Sequence, residues 1–158
     1  MSQSFETQFE VDKEVPLVRI IREFAAEPAL VFAAHADGAQ YAKWIGPANS
    51  DVTIDHWECR IGGSYRWAVV REDFEARFFG SFHDVRTNEL IVQTFTFEGM
   101  RGEVALEKLR FKPIGKGHTL LTTTSLVDSF ADRDAFVASG MVSGVTDGYL
   151  ALDKILAS

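Results

Sequence analysis

The pattern of apolar and polar positions changes its period several times along this chain, and those changes mark its elements. Leu17 to Phe24 (LVRIIREF) is rich in β-branched and apolar residues, as strands are, and Glu27-Pro28 then supplies a helix start, since Pro is tolerated at the first helical position. Ala29 to Ala36 is short and apolar, Asp37-Gly38 interrupts it, and Ala39 to Trp44 predicts a second short helix that Gly46-Pro47 stops. Between Asp51 and Val127 lie six segments of eight to twelve residues with strand composition. They are separated at Gly62-Gly63, Asp73-Phe74, Thr87-Asn88, Gly99 to Gly102 and Gly115 to Gly117. Connections this short predict an antiparallel meander. Ser129, with Asp132 three residues on, resembles a capping box, and about 26 residues without Pro then run to Ala157, ~39 Å of helix if continuous.

Projected as one helix, that last segment gathers Val137, Ala138, Met141, Val142, Val145, Tyr149, Leu152, Ile155 and Leu156 on one side, with Ser139, Ser143, Asp147 and Lys154 opposite. Gly140, Gly144 and Gly148 recur along the shoulder of the apolar side, where close packing against a sheet or room for a ligand would each explain them. Across Asp73-Phe74, a constant index sum sets Val69 opposite Phe78, Trp67 opposite Gly80 and Tyr65 opposite Phe82 on one face. Ile91, Gln93, Phe95 and Phe97 extend that face, while Ser64, Arg66, Arg77, Ser81, His83, Thr94 and Thr96 point away from it.

The aromatic sheet face and the apolar helix stripe need each other. The expected fold is α+β: a curved antiparallel sheet of about seven strands wrapped around a long C-terminal helix, with two short helices after the first strand. It forms one domain over residues 1–158, with a core at about 17–157 and residues 1–14 loosely ordered. Such a sheet is either filled or leaves a tunnel under the helix lined by Trp67, Phe78, Phe95, Met141 and Tyr149, and Gly80 opposite Trp67 hints at space.

Composition narrows the function classes. With 46% hydrophobic and 25% charged residues in 158, the chain has what it needs to bury a core and is not of a disordered type. Its net charge of −7 opposes nucleic acid and anionic membranes as partners. Cys59 is the single cysteine, so no internal disulfide forms and a reducing cytoplasm suits the protein. The first residues lack the basic and apolar regions of an export signal, and no run approaches the ~20 apolar residues of a membrane span. Nineteen aromatic residues (13 Phe, 3 Trp, 3 Tyr) exceed what a core of this size requires.

Reactive motifs are scarce. His35, His56, His83 and His118 show no paired spacing, so no metal site is expected, and no cofactor-binding motif is present. Gly115-Lys116-Gly117 reads as a hairpin turn, and Cys59 as a small inert hydrophobe. The facing of residues 55–60 depends on the Gly62-Gly63 turn. A regular turn aims His56, Glu58 and Arg60 at the concave side beside Trp67, making His56 and Glu58 the candidate acid–base pair. A bulge turns Trp57 and Cys59 inward and leaves the charged cluster in water. The cost of burying three ionisable groups favours the bulge. Lys108 and Arg110 pose the same question on a later strand.

Several motifs then stand out together. Arg22-Glu23-Phe24, Pro28-Ala29-Leu30-Val31-Phe32, Trp44-Ile45-Gly46-Pro47, Arg60-Ile61-Gly62-Gly63-Ser64-Tyr65-Arg66 and Asp132 to Val145, followed by Leu152-Asp153-Lys154-Ile155-Leu156, resemble the SRPBCC superfamily, in particular bacterial proteins similar to the activator of heat-shock protein 90 ATPase. The resemblance implies a START-like helix-grip fold of order β-α-α-β6-α. It implies less about function, because lipid carriers, polyketide cyclases, oxygenase subunits and chaperone activators share that scaffold. The sequence departs from the usual pattern at Ile45, where a second Trp is common, at Glu58, where Asp is common, and at Asp73-Phe74, which replaces a Gly-containing turn.

Three functions fit this reading. The first is a binding module for a small apolar or amphipathic molecule, with Trp44, Trp57, Tyr65, Trp67, Phe78, Phe82, Gln93, Phe95, Phe97, Met141, Val145 and Tyr149 as its ligand-binding residues and Gln93 as a polar tether. The second is contact with a chaperone through the outer surface. The third is an enzyme of cyclase or hydrolase type, which requires His56 and Glu58 to reach the cavity. A monomer and a homodimer are both compatible with the sequence.

Overall fold

A computed structural model describes residues 5–158. Eight antiparallel strands form one sheet: β1 (Gln8–Val11), β2 (Leu17–Phe24), β3 (Asp51–Trp57), β4 (Ser64–Arg71), β5 (Phe74–Arg86), β6 (Leu90–Phe97), β7 (Ala105–Ile114) and β8 (His118–Leu126), in the order β1-β2-β8-β7-β6-β5-β4-β3. Two short helices, α1 (Pro28–Ala36) and α2 (Gly38–Tyr41), lie between β2 and β3, and α3 (Phe130–Phe136) and α4 (Val142–Ala157) close the chain. This is the expected α+β helix-grip arrangement, with one strand more. Gln8–Val11 falls in the segment expected to be loosely ordered, but pairs with β2 through Phe9↔Ile20. Four residues, mostly exposed, are too few to show a period, and only the pairing with β2 fixes them as an edge strand.

Local chemistry accounts for the elements. β2 alternates half-buried and buried residues along its whole length, as a strand with one face on the core does. Pro28 opens α1, and the Ser129 side chain accepts a hydrogen bond from the Asp132 amide to cap α3.

Two registers differ from expectation. The β4–β5 hairpin turns at Glu72-Asp73, with Arg71 opposite Phe74, so Trp67 faces Phe78 and Tyr65 faces Gly80. The shift is of two residues, so every side chain keeps its face. Gly80 marks a close approach and not free space: a Cβ there would lie 2.0 Å from the Thr94 carbonyl oxygen and 2.7 Å from the Tyr65 hydroxyl. On β3 the register shifts between Ile54 and His56, which places a bulge at Asp55. The reversal anticipated at Gly62-Gly63 therefore occurs inside the strand, and Trp57 and Cys59 pack on the core.

The C-terminal helix is long but broken. A π-helical turn at Val137–Met141 separates α3 from α4, and Gly140 sits there at φ 94°, a conformation that glycine adopts without strain. The break changes the helical phase, so Ala138 and Val142, expected on the apolar stripe, are exposed. By length and composition alone, Phe130–Ala157 passes for a membrane-crossing helix, a test that core helices of globular domains also pass. Its inward row, Met141, Val145, Tyr149 and Leu152, packs over the sheet. A buried ion pair fastens α4 to β2: Arg22 donates to both carboxylate oxygens of Asp153, at 2.9 and 2.6 Å.

Candidate functional site

Curvature of the sheet and the break at Gly140 leave a cavity of about 370 Å³ between the concave face and α4. Its floor is aromatic because alternate residues of β4, β5 and β6 turn inward. The Trp67 and Phe78 rings lie 4.7 Å apart, and Phe78 and Phe95 5.2 Å apart. Met141, Gly144, Val145, Gly148 and Tyr149 form the roof, while His35, Tyr41 and Trp44 close the end beneath α1 and α2.

One side of the cavity is polar. Glu107 on β7 lines it, together with Gln93 on β6 and Thr123 and Ser125 on β8. Gln93 Nε2 donates to Glu107 Oε1 at 3.0 Å, and Ser125 Oγ donates to Oε2 at 2.6 Å. Burial pushes the Glu107 carboxyl above the usual carboxylate range, and these two donors pull in the opposite direction. His35 is buried as well; its Nδ1 lies 2.8 Å from the Val31 carbonyl oxygen, and desolvation drives its pKa down to about 4. The Tyr149 phenol is raised to about 12, mainly by burial.

Among the described residues, three buried side-chain polar atoms lack a hydrogen-bond partner: His35 Nε2, Trp67 Nε1 and Thr123 Oγ1. All three residues line this cavity. Thr123 stands beside the Tyr149 phenol without completing a hydrogen bond. Folded proteins satisfy most buried polar groups, so three orphans around one cavity mark its chemistry.

Of the residues expected to bind a ligand, Trp44, Trp57, Tyr65, Trp67, Phe78, Gln93, Phe95, Met141, Val145 and Tyr149 line the cavity. Phe82 does not: it is 2% exposed and packs behind the wall against Trp57 and Tyr65. Phe97 shares the face but reaches solvent at 41% exposure, at the end of the ring stack beyond Phe78. His56 and Glu58 lie outside the cavity. They are about half-exposed and paired with each other at 3.1 Å, and Arg60 donates to Glu58 at 2.8 Å. The bulge at Asp55 puts them in water, so the acid–base role proposed for them has no cavity to act in. Cys59 is turned inward and burial raises its thiol to about 11, which leaves it unreactive.

Glu107, His35, Thr123 and Ser125 are among the site residues that sequence reasoning missed. For Glu107 a signal existed: it shares strand parity with Ala105, Leu109 and Phe111, all buried, whereas Lys108 and Arg110 fall on the opposite parity. Glu103, Asp128 and Asp132 form another group that spacing did not foretell, with carboxylate oxygens within 4.8 Å of one another near the surface. Repulsion from Asp132 raises the Glu103 carboxyl.

Residues 25–157 match the family model of activator of Hsp90 ATPase homolog 1-like proteins. No curated protein matches the chain. Among solved structures, a Rhodobacter sphaeroides protein superposes with a TM-score of 0.85 at 23% identity, covering 95% of this chain and 97% of its own. An Arthrobacter aurescens protein solved by NMR gives 0.86 at 22% identity, over 95% and 91% of the two chains. Protein Ms6760 from Mycobacterium smegmatis gives 0.85 at 19%, over 95% and 96%. At these identities the likeness concerns the fold.

Proposed function

This chain belongs to the activator of Hsp90 ATPase homolog 1-like family, a group of helix-grip domains of ligand-binding type, and from that premise we propose that its cavity binds one small, mainly apolar molecule bearing a single polar group. The observation that carries this reading is the coincidence of space and unmet polarity. Interiors pack closely and seldom leave voids much larger than a water molecule, yet about 370 Å³ lies open here, within the range of about 300 to 1,000 Å³ usual for small-molecule sites. Every orphaned buried polar atom found among the described residues belongs to a residue on its wall. A plain core would have collapsed onto such a void or satisfied those atoms.

Trp67, Phe78 and Phe95 supply broad contact area, and Glu107 with Gln93 and Ser125 supplies the polar anchor. A fluorescence titration with an environment-sensitive naphthalene sulfonate dye tests the proposal, read against a variant in which Gly144→Leu fills the roof. Saturable dye binding by the wild type, lost in the folded variant, is the expected result. Equal binding by both would place the dye elsewhere and contradict the reading.

A further inference from the structure

Resting on that reading of the cavity, we infer that the molecule it takes is a hydrophobic amine, whose ammonium group seats against the Glu107 carboxylate. Both oxygens of Glu107 already receive a neutral donor, from Gln93 and from Ser125, and this fixes the group as an acceptor facing the cavity. A carboxylate offers about four lone-pair positions, so two remain open to a ligand. No Lys, Arg or His among the described residues forms an ion pair with it. The buried arginine near α4, Arg22, is already committed to Asp153. Buried carboxylates are as a rule paired with a cation, and here the cavity is the open side from which one would come.

Among the residues lining the cavity no Lys or Arg is present. His35 Nδ1 faces the Val31 carbonyl oxygen, so it must carry the ring hydrogen, and the orphaned Nε2 presents a lone pair. The wall therefore offers a further acceptor and no positive charge, while the orphaned Trp67 Nε1–H is a donor that suits an acceptor atom elsewhere on the ligand. Trp67, Phe78 and Phe95, whose rings pack on one another at 4.7 and 5.2 Å, add apolar area for the hydrocarbon part of the ligand. A carboxylate ligand would meet Glu107 as a like charge, and a neutral one would leave it without a counter-ion.

The test is a matched series with one hydrocarbon skeleton: phenylbutylamine, phenylbutanol and phenylbutyrate, titrated into the wild type near neutral pH by calorimetry. Amide chemical shifts locate each ligand. The amine should bind about tenfold more tightly than the alcohol, with the carboxylate weakest, and Glu107→Gln should bring amine and alcohol to about equal affinity. Alcohol or carboxylate binding in the cavity as tightly as the amine would overturn the inference and leave the binding reading intact. Failure of all three to shift cavity residues would overturn both. The wild-type series decides the matter even if Glu107→Gln does not fold.

Discussion

Arg22 on β2 and Asp153 on α4 form a two-pronged ion pair, 2.9 and 2.6 Å long, with side chains only 1% and 5% exposed. The guanidinium also donates to the Glu23 carbonyl oxygen and lies 4.8 Å from the centre of the Phe24 ring. The pair joins residues 131 positions apart and ties α4, which carries the roof of the cavity, to β2. Removing one partner strands the other charge in the interior, so Asp153→Ala should lower unfolding free energy by about 3 to 5 kcal/mol. The double variant Arg22→Met/Asp153→Leu should be less destabilised than the sum of the single changes. Urea unfolding of the four proteins checks both statements.

Gly144 and Gly148 are one helical turn apart, yet their substitutions should have opposite signs. A Cβ at Gly144 meets no atom within 4 Å, whereas at Gly148 it would lie 3.1 Å from the Trp44 carbonyl oxygen. Gly144→Ala should therefore stabilise the protein by about 0.5 to 1 kcal/mol through helix propensity, at the expense of some cavity volume. Gly148→Ala should destabilise it, because backbone oxygen cannot move aside as a flexible side chain would. Thermal melts distinguish the two.

His35 makes stability fall in mild acid. Its pKa drops from the usual 6.5 to about 4 on burial, so below 6.5 the unfolded chain takes up a proton that the folded chain refuses. Stability is complete above that value and declines as pH falls toward about 4, by up to about 3 kcal/mol. Glu107 acts in the opposite sense. Its carboxyl is raised above 4.5, so ionising it in the folded state weighs against stability as pH rises. His35→Phe should flatten the acid limb of a stability–pH curve, and Glu107→Gln should steepen the net dependence on pH.

Three tryptophans surround the cavity, and only one lacks a partner for its indole N–H. Trp44 donates to the Ala34 carbonyl oxygen at 2.9 Å and Trp57 to that of Ala36 at 2.8 Å, both near the end of α1, where carbonyls have no intrahelical donor. Trp67 Nε1 is buried without one. Trp44→Phe should thus destabilise the fold more than Trp67→Phe, by about 1 to 3 kcal/mol, in chemical denaturation. Trp67→Phe should act chiefly on ligand binding.

Much of this architecture was legible because period and turn chemistry are local. The alternation from Tyr65 to Val69 and from Phe78 to Phe82 named the aromatic face even though the register was two residues out, since a shift of two leaves parity unchanged. Features set by tertiary context were not legible. The bulge at Asp55, whose carboxylate pairs with Arg66 on β4 and Arg77 on β5, is announced by no turn residue. The break at Gly140 lies in a segment whose composition also suits an unbroken helix. Gly140, Gly144 and Gly148 look alike in sequence, but only Gly148 packs closely; Gly140 bends the chain and Gly144 borders empty space. Glu107 escaped notice because a glutamate on a strand ordinarily faces water, and its inward position is visible only against the buried residues on either side.

The central claim is that the space between α4 and the sheet is a binding site. Co-crystallisation with a bromine-labelled phenylalkyl amine, followed by an anomalous difference map, tests it most directly. The account predicts a bromine peak enclosed by Trp67, Phe78, Phe95, Met141 and Tyr149, with the nitrogen toward Glu107. Bromine bound only on the outer surface, with the cavity closed by side chains moving into it, would contradict the account.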